Sequence, residues 1–253
     1  MNAPKSLTKA VLICLIAAFC LVAQDSESVK VSAFAPVKDT ETELKYFVSK
    51  MGKDLSDQED FGEDQSRRLG LDGSTVAVLA LTLGMHDEDS EHKASAGTLI
   101  ELATEVVDNA EDFEAASKSY QKLAEALESK PESEAELSWD EPVADIVALM
   151  QQVPIVNNRL RRGVSDKRRF ERNAKKTATK AVTLAAIAQV SMMNTDYCSD
   201  EDDEKAWQEI CVEMRDACAE VYQALQDKDQ EKAIAGNARV VETCDACHER
   251  FRD

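Results

Sequence analysis

Apolar residues return at intervals of three and four along this chain from about residue 41 onward, the spacing of one face of an α-helix. No stretch alternates apolar and polar positions in the manner of a half-buried strand. Acidic, glycine and proline positions divide the pattern into eight predicted helices. Four lie in the first half, over 41–55, 73–86, 91–109 and 112–129, the last closed by Lys130-Pro131. Four lie in the second half, over 141–162, 166–193, 203–227 and 229–252. Asp140 stands where it can cap a helix begun by Glu141 and Pro142, since proline in the first turn lacks an N–H that has no partner there anyway. Pro154 sits deeper in the same helix and is expected to kink it.

The two halves share a layout. Each has an acidic loop between its second and third helices, Asp87-Glu88-Asp89 in one and Asp200 to Glu204 in the other, and each has a short Asp-containing turn before its fourth. The pattern predicts an all-α fold of two consecutive antiparallel four-helix bundles, at 41–130 and 140–253. A leading linker over 25–40 and an acidic, proline-containing linker over 131–139 complete the division. One eight-helix domain is the competing arrangement, and 253 residues are enough for either.

Composition agrees with the helical reading: aromatic residues are only 5%, with 8 Gly and 5 Pro. At the N-terminus Lys5 and Lys9 precede an uncharged apolar stretch from Ala10 to Ala23, too short for a comfortable membrane span. Residues 1–24 are therefore read as a signal peptide, the protein is expected to be periplasmic or otherwise exported, and its membrane contact is limited to the case in which that segment stays uncleaved. The formal charge is −19, and loss of the leader would remove two lysines and no acid, so nucleic acid is excluded as a partner. Against this background Arg159, Arg161, Arg162, Lys167, Arg168, Arg169, Arg172, Lys175 and Lys176 form one strongly basic stretch. Its candidate partners are an acidic protein, an anionic membrane surface, or the acidic part of the same molecule.

The densest chemistry is at Cys244-Asp245-Ala246-Cys247-His248. Cys-x-x-Cys-His is a covalent haem attachment pattern: two thiols add to the two vinyl groups of haem, and the adjacent imidazole is then held where it binds iron. On a helix the two cysteines are one turn apart and His248 lies four residues past Cys244. The stripe Ala233, Asn237, Val240, Cys244, Cys247 and Phe251 predicts that this face is buried, with haem c inside the bundle against the last helix. Three other readings stand beside this one, the last of them a chance occurrence of the pattern. A zinc site from the same three residues lacks a fourth ligand at recognisable spacing. A redox dithiol more often sits at a helix N-terminus, whereas this pair lies near a helix C-terminus.

The ending Cys-Asp-Ala-Cys-His-Glu-Arg-Phe-Arg resembles the class II cytochromes c, the cytochrome c-prime family. The resemblance covers about residues 140–253, anchored by the motif and by Val221-Tyr222-Gln223-Ala224-Leu225 in the preceding helix. It implies an antiparallel four-helix bundle, one covalent haem c held by Cys244 and Cys247, and His248 as the proximal iron ligand. It further implies single-electron transfer rather than enzymatic catalysis, a redox partner protein, and pairing into a homodimer, for which the additional first bundle competes. Arg252 is implied near a haem propionate, with a solvated terminal arginine as the alternative. Residues 41–130 contain no cysteine, so the first bundle is expected to be free of haem.

The second axial position decides the chemistry. Met150, Met192, Met193 and Met214 are all plausible neighbours in an up-down-up-down bundle. Met150 is the candidate distal ligand because it falls on the core stripe Val143, Ile146, Val147, Met150, Val153 and Asn157, and because it resembles the first-helix position where family members place a ligating Met or a residue crowding an open site. Members often carry a basic residue one turn earlier, where this chain has Ile146. Ligation by Met150 implies electron transfer, and its absence implies a five-coordinate iron that binds nitric oxide or carbon monoxide.

Among the remaining groups, Cys211 and Cys218 are two turns apart on one helix and cannot bridge each other, so at most Cys198 pairs with one of them. His86 and His92 flank the acidic loop of the first half and are read as part of a hydrated loop rather than a metal site. Trp139 and Trp207 are read as packing residues.

Overall fold

The computed structural model describes residues 30–252; the signal peptide expected over 1–24 and the first part of the linker expected over 25–40 lie outside the described residues. Those residues form a short 3-10 turn at Val31–Ala33 and eight α-helices, with no strand among them. The helices are α1 (Val37–Asp54), α2 (Glu63–Gly84), α3 (Ala96–Asp108), α4 (Phe113–Ser129), α5 (Ile146–Ser165), α6 (Lys167–Ser191), α7 (Glu201–Gln226) and α8 (Gln230–Phe251). None is long and apolar enough to cross a membrane.

Five of the eight begin in the same way. Asp112, Asp145, Asp166, Asp200 and Asp229 each stand just before a helix and accept a hydrogen bond from the backbone N–H three residues on, at 2.8–3.0 Å. Such a cap satisfies one of the otherwise unpartnered first-turn donors and contributes about 1 kcal/mol. The fifth helix thus starts at Asp145 and not at Asp140, which is engaged locally: its N–H donates to Ser138 Oγ and its carboxylate accepts from the same hydroxyl.

The second helix extends further toward the N-terminus than its apolar pattern predicts. It begins ten residues earlier than the expected start at Gly73, because that glycine marks a close approach rather than a break. A Cβ there would come within 2.7 Å of Val107 Cγ2 and 3.2 Å of the Ala103 carbonyl on α3. The described part of the stretch expected as the leading linker is packed against the first half. Val31, Phe34 and Ala35 are buried, and Ser32 donates from its N–H and its hydroxyl to Asp87. Residues 131–139 likewise lie against the first half: Ser133 N–H donates to the Ala94 carbonyl, and Leu137 fills the space that a side chain at Gly84 would need.

Within the first half α1 packs on α2, α2 on α3, α3 on α4 and α4 on α1. The second repeats the ring with α5, α6, α7 and α8. Between halves α2 meets α5 and α6, α1 meets α6, and one continuous apolar core runs from Val31 to Val240. Two buried polar clusters cross the boundary. Asp72 on α2 accepts from Lys50 of α1 at 2.7 Å and from Gln152 of α5 at 3.1 Å. Glu43 on α1 accepts from Lys180 at 2.5 Å, Thr179 at 2.6 Å and Thr183 at 3.1 Å, all on α6. Burial pushes the Asp72 carboxyl upward, against the opposing pull of Lys50.

Candidate functional site

The Cys-x-x-Cys-His residues occupy the last two turns of α8. Two contacts fix that end of the helix. Phe251 meets the edge of Trp207 on α7 with ring centroids 5.3 Å apart, and Arg250 donates twice to Asp203 Oδ1, at 2.7 and 3.1 Å. Trp207 is itself held, its indole N–H donating to the Ser191 carbonyl at 2.7 Å. Its packing role is as expected, yet it also forms a wall of the site.

Burial along α8 corrects one expectation. Ala233, Asn237 and Val240 are buried, but Cys244, Cys247 and Phe251 are half-buried and His248 is exposed. The inward stripe therefore runs out before the motif. The core closes near Val240 and Thr243, and the last turns of α8 border a cleft instead of an enclosed interior.

That cleft brings the sequence candidates together. A cavity of about 640 Å³ is lined by Met150, Val153 and Pro154 of α5, Trp207, Cys211 and Met214 of α7, and Cys244, Cys247 and His248 of α8, with Arg252 at its edge. An adjoining cleft of about 350 Å³ shares Met150, Trp207, Cys247, His248 and Arg252. Of the four methionines considered, Met150 and Met214 line the larger cavity; Met192 packs in the neighbouring cluster around Ile146, Trp207 and Cys211. Arg67 of α2 also reaches the larger cavity. Nothing in the sequence singled it out, since it is an ordinary exposed arginine placed there by the contact of α2 with α5.

The thiols are chemically quiet. Burial is the largest cause raising the Cys244 thiol and pushing Cys247 up to about 11 and Cys211 up to about 12; neighbouring thiols add to each of the last two. Cys218, fully buried, is driven upward in the same way. All five cysteines of the described residues are free, so the bridge considered for Cys198 is not formed. A thiol kept neutral by apolar surroundings is a poor attacking group in disulfide exchange, which disfavours the redox-dithiol reading. No group of three or more His, Cys, Asp or Glu side chains among the described residues is arranged to hold a metal ion.

The donor set fits haem c better. The two cysteines border a space within the range of cofactor sites, mostly apolar, with a thioether on α5 lining the same wall system as the imidazole on α8. The arginines at its edge are Arg67 and Arg252.

The two histidines of the first half are buried and not part of a hydrated loop. His86 Nδ1 accepts from the Glu88 N–H at 2.9 Å, so Nε2 carries the proton and donates to the Ala35 carbonyl at 3.0 Å. One nitrogen thus holds the acidic loop together and the other ties it to the segment before α1. His92 is fully buried, with neither nitrogen hydrogen-bonded to protein, and burial lowers its basicity.

The basic stretch is not neutralised by the rest of the molecule. Among the described residues Arg159, Arg161, Arg162, Lys167, Arg168, Arg169, Arg172, Lys175 and Lys176 form no ion pair with a carboxylate.

Comparison with known protein families, with curated proteins and with solved structures finds no match to this chain.

Proposed function

We propose that residues 146–251 form an antiparallel four-helix bundle of the class II cytochrome c type, that Cys244 and Cys247 attach one haem c, and that the protein is an exported carrier of single electrons. The observation that carries this reading is the meeting of Met150 with Cys244, Cys247 and His248 around one cavity, although they come from opposite ends of the second half. When bound, the haem supplies an iron that gains and loses one electron. His248 and Met150, which line the same cavity, are the residues that would hold its iron. Trp207 and Val153 exclude water from the inner wall. Arg252 and Arg67 offer positive charge to the propionates.

A second reading has its own support. Met150 packs in the cluster of Ile146, Trp207 and Cys211. A methionine held by packing can fill space beside the iron without ligating it, which leaves a position for nitric oxide or carbon monoxide.

Production in a host that attaches haem tests the first claim. The expected product is coloured and heavier by one haem, and the Cys244→Ala/Cys247→Ala variant is colourless. A colourless native chain with both thiols free to react overturns the proposal. Given haem, a Met-to-iron charge-transfer band that disappears in Met150→Ala supports electron transfer, whereas rapid carbon monoxide binding by the native protein selects the second reading.

A further inference from the structure

A second concave site lies far from the haem motif in chain order, where α5 ends and α6 begins. Its cavity of about 380 Å³ is lined by Tyr46 of α1, by Arg159, Arg162 and Gly163 of α5, and by Arg169, Asn173, Lys176 and Lys180 of α6. Gly163 forms part of its floor: a Cβ there would come within 2.4 Å of Thr177 Cγ2, so the two helices touch only because that position is bare.

Five cations thus surround one small space, and their bookkeeping is unequal. Lys180 is nine-tenths buried and satisfied by Glu43 at 2.5 Å. Arg159 finds only a neutral partner, donating to the Tyr46 hydroxyl at 2.6 Å. Arg159 and Lys180 also hold Tyr46 between them, at 5.7 and 4.6 Å from its ring centre. Arg162, Arg169 and Lys176 have no carboxylate partner among the described residues. The field is felt inside the molecule: after burial and the opposing pull of Glu43, the charges of Arg159 and Lys176 depress the basicity of Lys180.

Like charges gathered without counter-charges repel, and a chain with 49 acidic residues had ample means to pair them. Guanidinium groups present planar, forked donors that match phosphate oxygens, and a lysine adds a point charge. We propose that this pocket binds a multiply charged phosphate group, with Arg159, Arg162 and Arg169 as its principal donors and Lys176 and Asn173 completing the set. The phosphate belongs either to a small free molecule or to a lipid headgroup. The site is independent of the haem reading.

Calorimetric titration of the full chain with inorganic pyrophosphate, at low and at high salt, tests this. One molecule binds per chain, and high salt weakens it. Arg162→Ala/Arg169→Ala weakens binding by about a hundredfold, the effect of two lost charge-assisted bonds. Arg161→Ala/Arg168→Ala removes the same charge from the same helices outside the pocket and weakens it less than about threefold. All four side chains are exposed, and an unchanged melting temperature confirms that both variants fold. Sedimentation with phosphatidylglycerol vesicles separates the sources: vesicle binding that pyrophosphate displaces identifies a headgroup, and pyrophosphate binding without vesicle binding identifies a free phosphate. Failure to bind either probe, or equal losses in the two double variants, overturns the proposal.

Discussion

The two halves of this molecule pack their helices in the same ring of contacts but fill the interior differently. Of the twelve largest fully buried side chains, eight belong to α1–α4, among them Phe47, Leu79, Leu99 and Leu123. The second half supplies four, Leu149, Leu160, Leu184 and Ile187, and none of the twelve comes from α7 or α8. Their buried faces carry small residues such as Ala217, Ala224, Ala233 and Gly236, the last lying against Val221, and their far ends border the cleft that carries the motif. A helix ring can hold a cofactor only where its own side chains leave room. The first half spends that room on its own packing, and the second keeps it.

This contrast can be broken by substitution. The largest effects belong to the tightly packed half and the boundary: Phe47→Ala costs about 3–5 kcal/mol in urea unfolding, because the cavity left behind cannot collapse. Glu43→Ala, which leaves Lys180 buried without its counter-charge at the contact of α1 with α6, costs about as much, roughly 3–5 kcal/mol, in the same unfolding curves. Met150→Ala, at the wall of an existing cleft, costs the haem-free protein about 1–2 kcal/mol. A loss at Met150 equal to that at Phe47 contradicts the contrast. Asp145→Ala removes the cap of α5 and costs about 1 kcal/mol, measured by the same unfolding curves.

The smallest effect is a pH dependence carried in the first half by His92. His92 is less basic folded than unfolded because it is buried, so the unfolded chain takes up a proton first. Its contribution is therefore full above the unfolded value, near pH 6.5, and is lost as pH falls from there through the depressed folded value. The melting temperature falls over that window, and His92→Asn flattens the fall. An acidic limb remains, because Lys130 and Lys45 hold the Glu91 carboxyl down at about 2. Stability from that group is present above the ordinary glutamate range and is lost as pH falls toward about 2.

Much of this was legible in the residues. Helix spacing and the Lys130-Pro131 stop predict elements that the structure contains, with ends displaced by a few residues except at the start of α2. The Cys244, Cys247 and His248 cluster was legible because its members stand at fixed, close spacing, and the structure places all three on one cavity. Gly73 was misread because a bare position in a helix looks identical whether it breaks the helix or admits a neighbour. The stripe through Val240 was extrapolated past the point where other helices stop covering it, which made His248 appear buried. Met150 was chosen from its stripe, but Arg67 carried no signal at all.

Local rules thus suffice for what a residue does to its own backbone and for chemistry written in consecutive positions, because both act within one or two turns of helix. Burial, the pairing of Glu43 with Lys180, the gathering of unpaired arginines around Gly163 and the cleft beside α8 depend on which helices touch. Those contacts join residues of different helices, from the neighbouring α5 and α6 around Gly163 to Glu43 and Lys180 at 137 positions apart, and no local rule fixes them.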